Sequence, residues 1–275
     1  VRVAVVTIVS GRHEHLRRQQ RGLAASTHAP DDYIVVGMND AVDDLRPAEP
    51  TPTVVRLDAP GGLPLAAARN LGARRAIDTG ADLLVFLDVD CIPSPLLLER
   101  FAAAAAEHPR ALLTGAVGYL PADTDYERPE RFGDVAHVHG FRPRPVEGDV
   151  AFGRHDLFWS LSFAVTADTW ARLGGFHEAY TGYGGEDTDF ALVARDRDVE
   201  LVWVGGADAF HQHHETHDPP VHHRDDILAN GRIFSERWGF WPMRGWLEAF
   251  EALGIVHRDP TTGDYSPVEP TGVTA

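Results

Sequence analysis

Along the chain, apolar runs of strand length alternate with segments whose leucines and alanines recur at helical spacing. Residues 2–10 form a nearly unbroken β-branched run, as expected for a strand buried on both faces, and Gly11 ends it. Residues 13–25 predict a helix, 33–38 a second strand ending at Asn39-Asp40, and 53–57 a third strand ahead of the turn signal Pro60-Gly61-Gly62. Residues 65–79, rich in Ala and Arg and stopped by Gly80, predict a helix. Residues 82–87 then form a strand that runs into Asp88-Val89-Asp90, and Pro93 and Pro95 open a helix over 96–107. This order predicts an α/β fold with an open, mostly parallel central sheet and helices on both faces. Ligands of such sheets bind beyond the carboxyl ends of the strands, where Gly11, Asp40 and Asp88 to Asp90 fall.

The second half changes character. Residues 111–119 read as one more strand, and 121–153 carry Pro, Gly, charge, His137 and His139 with little periodicity, as functional loops do. A strand over 157–165 and helices over 168–173 and 186–195 follow, then a strand over 200–204. A C-terminal helical and aromatic segment comes next, with helices near 225–237 and 246–253 on either side of the run from Trp238 to Trp241. The expected organisation is one domain over 1–257, in two halves at 1–120 and 121–257. Residues 258–275, polar and patternless from Pro260 onward, are expected to be a disordered tail.

Composition narrows the choice of partner. With 41 acidic against 25 basic residues and a formal charge of −16, the chain is a poor match for nucleic acid or an anionic membrane, which select clustered Lys and Arg. No run reaches the roughly 18 apolar residues of a membrane-spanning helix. The single cysteine, Cys91, allows no intrachain disulfide, so a cytoplasmic, reducing location is the expectation.

Two acidic clusters carry the candidate chemistry. Asp88 and Asp90 project from the end of an apolar strand, an arrangement that can hold a divalent cation and leave coordination positions for phosphate oxygens. His211, His213, His214 and His217 lie close together in sequence, and imidazole suits transition metals. Alternation on an extended chain would put His211 and His213 on one face. A mixed Asp and His site favours manganese over magnesium. The second cluster follows the bend Gly182-Tyr183-Gly184-Gly185, where a helix opens with Glu186, Asp187 and Asp189. Its dipole favours ionised carboxylates. Capping explains one such acid, and three exceed it, so one of them is a candidate general base. Arg12 and Arg69 could meet phosphate or base, and Trp159, Tyr183, Trp238 and Trp241 could stack on sugar rings.

These residues also carry a resemblance. Arg12 to Leu16, Arg69-Asn70, Leu83 to Pro93 (LLVFLDVDCIP) and above all Gly174 to Asp189 (GGFHEAYTGYGGEDTD) resemble blocks of the β-1,4-galactosyltransferases and of bacterial family 2 glycosyltransferases of the GT-A fold. The resemblance implies a metal-dependent, inverting transfer from a nucleotide sugar, a UDP-sugar above all, to an acceptor hydroxyl. Together the residues and the resemblance assign Asp187 as catalytic base and Val9, Arg12, Asp40, Arg69, Asp88 and Val89 as donor contacts. Trp159, Tyr183, Gly185 and Glu186 become acceptor contacts, and Asp90, His211 and His213 metal ligands. Tyr183 stands where the galactosyltransferases have Trp, and Phe234 replaces the Gln of the QxxRW motif that processive synthases share. Competing readings are a retaining transferase, a nucleotidyltransferase, for which Ser10-Gly11-Arg12 is thin, and a non-catalytic sugar-nucleotide or glycan-binding module.

Overall fold

The structure, a computed structural model, describes residues 1–42, 48–215 and 217–268. The amino-terminal half comprises β1 (Val3–Val9), α1 (His13–Ala24), β2 (Asp32–Met38), β3 (Thr53–Leu57), α2 (Leu65–Asp78), β4 (Leu83–Leu87), β5 (Cys91–Pro93), α3 (Leu97–Glu107), β6 (Leu112–Thr114) and β7 (Val117–Tyr119). After it come α4 (Phe132–Val135), β8 (Val150–Gly153), β9 (Ser162–Thr166), α5 (Ala167–Leu173), α6 (Glu186–Asp196), β10 (Leu201–Val204) and β11 (Ala209–His211). The chain continues through α7 (Arg224–Trp238), α8 (Arg244–Ala252), β12 (Val256–Arg258) and β13 (Tyr265–Pro267).

Among the described residues the central sheet has eight strands in the order β3-β2-β1-β4-β9-β6-β10-β8. β3, β2, β1 and β4 are mutually parallel, as are β6 and β10, whereas β9 runs antiparallel to its neighbours β4 and β6. Alternation along β1 sorts its side chains to the two faces. Ala4, Val6 and Ile8 join the core that includes Ala66, Ala73 and Phe190 of α2 and α6, and Val3, Val5 and Val9 join the core that includes Leu16 and Phe101 of α1 and α3.

Three expectations are corrected. The strand over 111–119 is two strands: the chain leaves the central sheet at Gly115 to pair β7 with β11 in a small β5-β11-β7 sheet. A Cβ at Gly115 would meet the Ala207 carbonyl oxygen at 1.7 Å, so this crossing needs glycine. The strand expected over 157–165 starts only at Ser162, after a short 3-10 turn at His155–Leu157. The expected disordered tail is ordered over its described part. There β12 and β13 form an antiparallel hairpin, and Tyr265, 4% exposed, packs against Trp241. Residues 269–275 lie outside the described residues. Among the described residues no helix is long and apolar enough to cross a membrane.

Candidate active site

The site lies at the carboxyl ends of β1, β2 and β4, where the chain stops being apolar. After β4 the chain turns through Asp88 to Asp90, and Gln19 of α1 fixes that turn: its side-chain amide donates to the carbonyls of Asp88 at 2.7 Å and Cys91 at 3.0 Å. The Gln19 carbonyl oxygen accepts from the hydroxyls of Thr7 at 2.8 Å and Tyr33 at 3.0 Å. The Asp90 carbonyl takes the Gln212 N–H at 2.7 Å, which ties the segment after β11 to the aspartate turn.

One oxygen of Asp90, Oδ2, is the focus of the site. Arg12 Nη1 pairs with it directly, and His211 Nε2 and His214 Nε2 each lie 3.5 Å away. Burial works against the charged carboxylate, but His214, His211 and Arg12 outweigh it and hold the group down at about 2. Burial also lowers His211, keeping its imidazole in the neutral form that can ligate a metal. The ligand atoms of Asp90, His211 and His214 all lie within 4.8 Å of one another. One carboxylate oxygen and two imidazoles fit a divalent transition metal such as manganese better than calcium. His213, expected in this set, is exposed and lies outside that group, and its backbone N–H donates to the Tyr126 hydroxyl at 3.1 Å. The alternation argument fails there because β11 ends at His211 and the backbone beyond it is no longer a strand.

In the second acidic cluster, Gly184 and Gly185 turn the chain into α6 with φ of +92° and +95°, a backbone region that favours glycine. The three acids behind the bend have separate tasks. Asp189, 1% exposed, accepts from Arg237 Nε and Trp238 Nε1 at 2.7 Å each and from the Tyr180 hydroxyl at 3.2 Å. It anchors α7 to α6, which places Arg237 and Trp238 in the scaffold. Glu186, also buried, accepts from Arg69 at 3.1 Å, and burial together with the neighbouring Asp187 charge pushes its carboxyl up to about 7. Asp187 is partly exposed, its Oδ1 accepting the Thr188 N–H at 2.7 Å, and burial raises its pKa.

Arg69 departs from its expected role as a nucleotide contact. Only 3% exposed, it bridges Glu186 at 3.1 Å and Asp88 at 2.8 Å and so joins the two acidic clusters from below. Even with this partner, burial leaves the Asp88 pKa raised. Asp40 accepts from the Gly11 N–H at 2.7 Å and lies 2.8 Å from His13 Nε2. These bonds outweigh burial and hold its carboxyl low. Val9 is the buried end of β1, and Val89 is buried between the two aspartates.

Two aromatic groups lie beside these residues, one at the glycine bend and one reaching His211 through Tyr119. Tyr183 stacks on His223 at 4.5 Å with Trp246 at 5.7 Å. Trp159 lies against His139 and Phe141, with Arg142 at 4.2 Å over its ring, and Tyr119 links His139 at 5.0 Å to His211 at 4.9 Å. Trp241 belongs instead to the core beneath the C-terminal hairpin. Gln19, Arg142 and Asn230 were missed by sequence reasoning. Asn230 holds the glycine bend by donating to the carbonyls of Thr181 at 2.9 Å and Tyr183 at 3.3 Å. A signal existed for Gln19, which occupies the leucine stripe of α1 between Leu16 and Leu23, and a polar residue there must bond something inside.

A glycosyl transferase family 2 model matches residues 22–170, more than half of the chain. The chain belongs to glycosyl transferase family 2. A model described as the N-terminal domain of galactosyltransferase matches residues 154–215, which contain the glycine bend and the histidines. Among curated proteins, the family 2 chain is 31% identical over 217 residues to validoxylamine A glucosyltransferase of Streptomyces hygroscopicus subsp. limoneus, covering 68% of this chain and 46% of that protein. A second protein of that name, from S. hygroscopicus subsp. jinggangensis, is also 31% identical, over 68% of this chain and 50% of its own length. The chain thus spans about half the length of these relatives. Solved structures with the same fold include S. aureus TarS 1–349 in complex with UDP-GlcNAc, with a TM-score of 0.59 at 12% identity, over 86% of this chain and 66% of that one. GalNAc-T7 with UDP, GalNAc and Mn2+ gives 0.59 at 12% identity, over 98% of this chain and 65% of that one. At this identity the likeness establishes the α/β fold of the GT-A glycosyltransferases.

Proposed function

We propose that the chain transfers a sugar from a nucleotide sugar, a UDP-sugar in the first place, to an acceptor hydroxyl with inversion at the anomeric carbon. The observation that carries this reading is the Arg69 bridge, which holds Asp88 of one acidic cluster and Glu186 of the other on one buried guanidinium. A cation-type cluster and a carboxylate pair therefore lie within reach of one guanidinium. Support comes from the family, from the UDP-GlcNAc and the UDP with Mn2+ bound in structures of like fold, and from the glucosyltransferase relatives. Those relatives are named for glucosyl transfer to validoxylamine A, and for an acceptor of ring form Tyr183 and Trp159 offer stacking faces.

Asp90, His211 and His214 would hold a divalent cation, manganese in preference to magnesium. When bound, that cation supplies positive charge for the leaving diphosphate. Asp187, at the helix N-terminus and reachable from solvent, accepts the proton of the acceptor hydroxyl as that oxygen bonds to the anomeric carbon. The bond from that carbon to the diphosphate breaks with its electron pair leaving on the phosphate oxygen. Glu186, locked on Arg69, is better placed to shape the pocket floor than to receive the proton. The division into a donor half (1–120) and an acceptor half (121–257) belongs to the same reading.

Asp187→Asn is expected to lower transfer at least about a thousandfold while leaving Mn2+-dependent UDP binding, measured by calorimetry, within about twofold of wild type. Full transfer by this variant would refute the assignment of the base. Product anomeric configuration by NMR tests inversion independently.

A further inference from the structure

The ion pair between Arg12 and Asp90 has a consequence for how the site loads. Arg12 Nη1 occupies Asp90 Oδ2, the same oxygen on which His211 Nε2 and His214 Nε2 converge at 3.5 Å. The guanidinium is close enough for its charge to act on His211 as well. A guanidinium and a divalent cation repel each other strongly at such range in a partly buried site. One carboxylate oxygen flanked by the same two imidazoles therefore cannot serve both well.

Arg12 is also built to move. Its side chain is 42% exposed whereas that of Asp90 is 9% exposed, so it can leave without opening the core. Its backbone precedes α1 at a fixed point, because the Gly11 N–H is held by Asp40 at 2.7 Å. Released from Asp90, a planar guanidinium at the mouth of the cleft matches the paired oxygens of a diphosphate.

We infer that Arg12 couples cation loading to donor binding: it competes with a divalent cation for Asp90 and, once the cation holds Asp90, pairs with the diphosphate of a nucleotide. The inference rests on reading Asp90, His211 and His214 as the cation site. It makes two linked statements of opposite sign. Arg12 weakens cation binding in the nucleotide-free protein, because its ion pair must first be broken. It strengthens nucleotide binding once the cation is present. By linkage, the mutual enhancement between cation and nucleoside diphosphate depends on Arg12.

The test titrates Mn2+ into nucleotide-free protein, followed by electron paramagnetic resonance of free Mn2+, and then UDP into Mn2+-saturated protein by calorimetry. Arg12→Gln is expected to bind Mn2+ about tenfold more tightly and UDP about tenfold more weakly than wild type. Arg12→Lys, a point charge without the planar fork, is expected to keep the weak Mn2+ binding of wild type and to recover only part of the UDP affinity. Unchanged or weaker Mn2+ binding by Arg12→Gln overturns the inference, as does wild-type UDP affinity in that variant. Asp90→Ala separates the two levels. If it binds Mn2+ as wild type does, the cation site itself is misassigned and the coupling falls with it. If it loses Mn2+ while Arg12→Gln behaves as wild type, the site stands and the coupling alone is wrong.

Discussion

Arg69 shows how a residue legible by type finds partners that the sequence does not name. An arginine in the first turns of a helix at the carboxyl edge of the sheet suggests a phosphate contact. Here the guanidinium is buried and satisfied by Asp88 and Glu186, since a buried cation without partners would be too costly to keep. Replacing it leaves the buried Glu186 and the partly exposed Asp88 without their shared cation, and Arg69→Met is expected to cost about 3–5 kcal/mol in unfolding free energy by urea titration. Glu186 carries the pH signature of the same group. Its pKa rises from 4.5 to about 7 in the folded protein, so between those values the folded state keeps a proton that the unfolded chain releases. The associated stability is present below pH 4.5 and is lost as pH rises through about 7. Glu186→Gln removes this titration. Its melting temperature, followed by calorimetry from pH 5 to 7.5, is expected to fall less with rising pH than that of wild type.

At the level of elements, the joint between α6 and α7 decides where the bend and its carboxylates point. Asp189 gathers Arg237, Trp238 and Tyr180 on one buried carboxyl group, and Asn230 holds the bend from the opposite side. Asp189→Asn keeps the volume but loses the charge and at least one acceptor, and an expected cost of about 2–3 kcal/mol follows from the worth of hydrogen bonds to charged groups. A merely solvated Asp189 would show no change in the denaturation midpoint. Helix α1 plays the equivalent part for the aspartate turn through Gln19. Gln19→Leu preserves the apolar stripe but frees the carbonyls of Asp88 and Cys91, and Mn2+ affinity is expected to drop about tenfold, within the range for lost support behind metal ligands. These contacts were only partly legible. A Gln in a leucine stripe announces a buried partner without naming it, because the partner lies 69 residues away in sequence.

At the level of the whole molecule, the sheet brings together strand ends far apart in sequence. β9 inserts antiparallel between β4 and β6, and β11 pairs with both β5 and β7. The β11–β5 pairing sets His211 opposite Cys91, next to Asp90. The C-terminal hairpin closes the core of α7 and α8, with Tyr265 against Trp241. Tyr265→Ala is expected to cost about 3 kcal/mol and to expose Trp241, visible as a red shift of its fluorescence. An unchanged spectrum would show the hairpin to be dispensable. Sequence alone determined β1 to β4, α1 and α2, since their periodicity and glycine stops are local signals, and it singled out Asp88, Asp90, Glu186 and Asp187, since clustered acids behind an apolar strand or a glycine bend are locally visible; the short β5 it read as the opening of a helix. Tertiary structure alone decided that His214 rather than His213 joins Asp90, that Arg69 is a buried bridge, that Arg12 occupies the Asp90 oxygen and that the tail pairs as a hairpin. Each of these depends on the distance between atoms far apart in the chain and on the cost of burying charge without a partner, and neither quantity is written in the local pattern of residues.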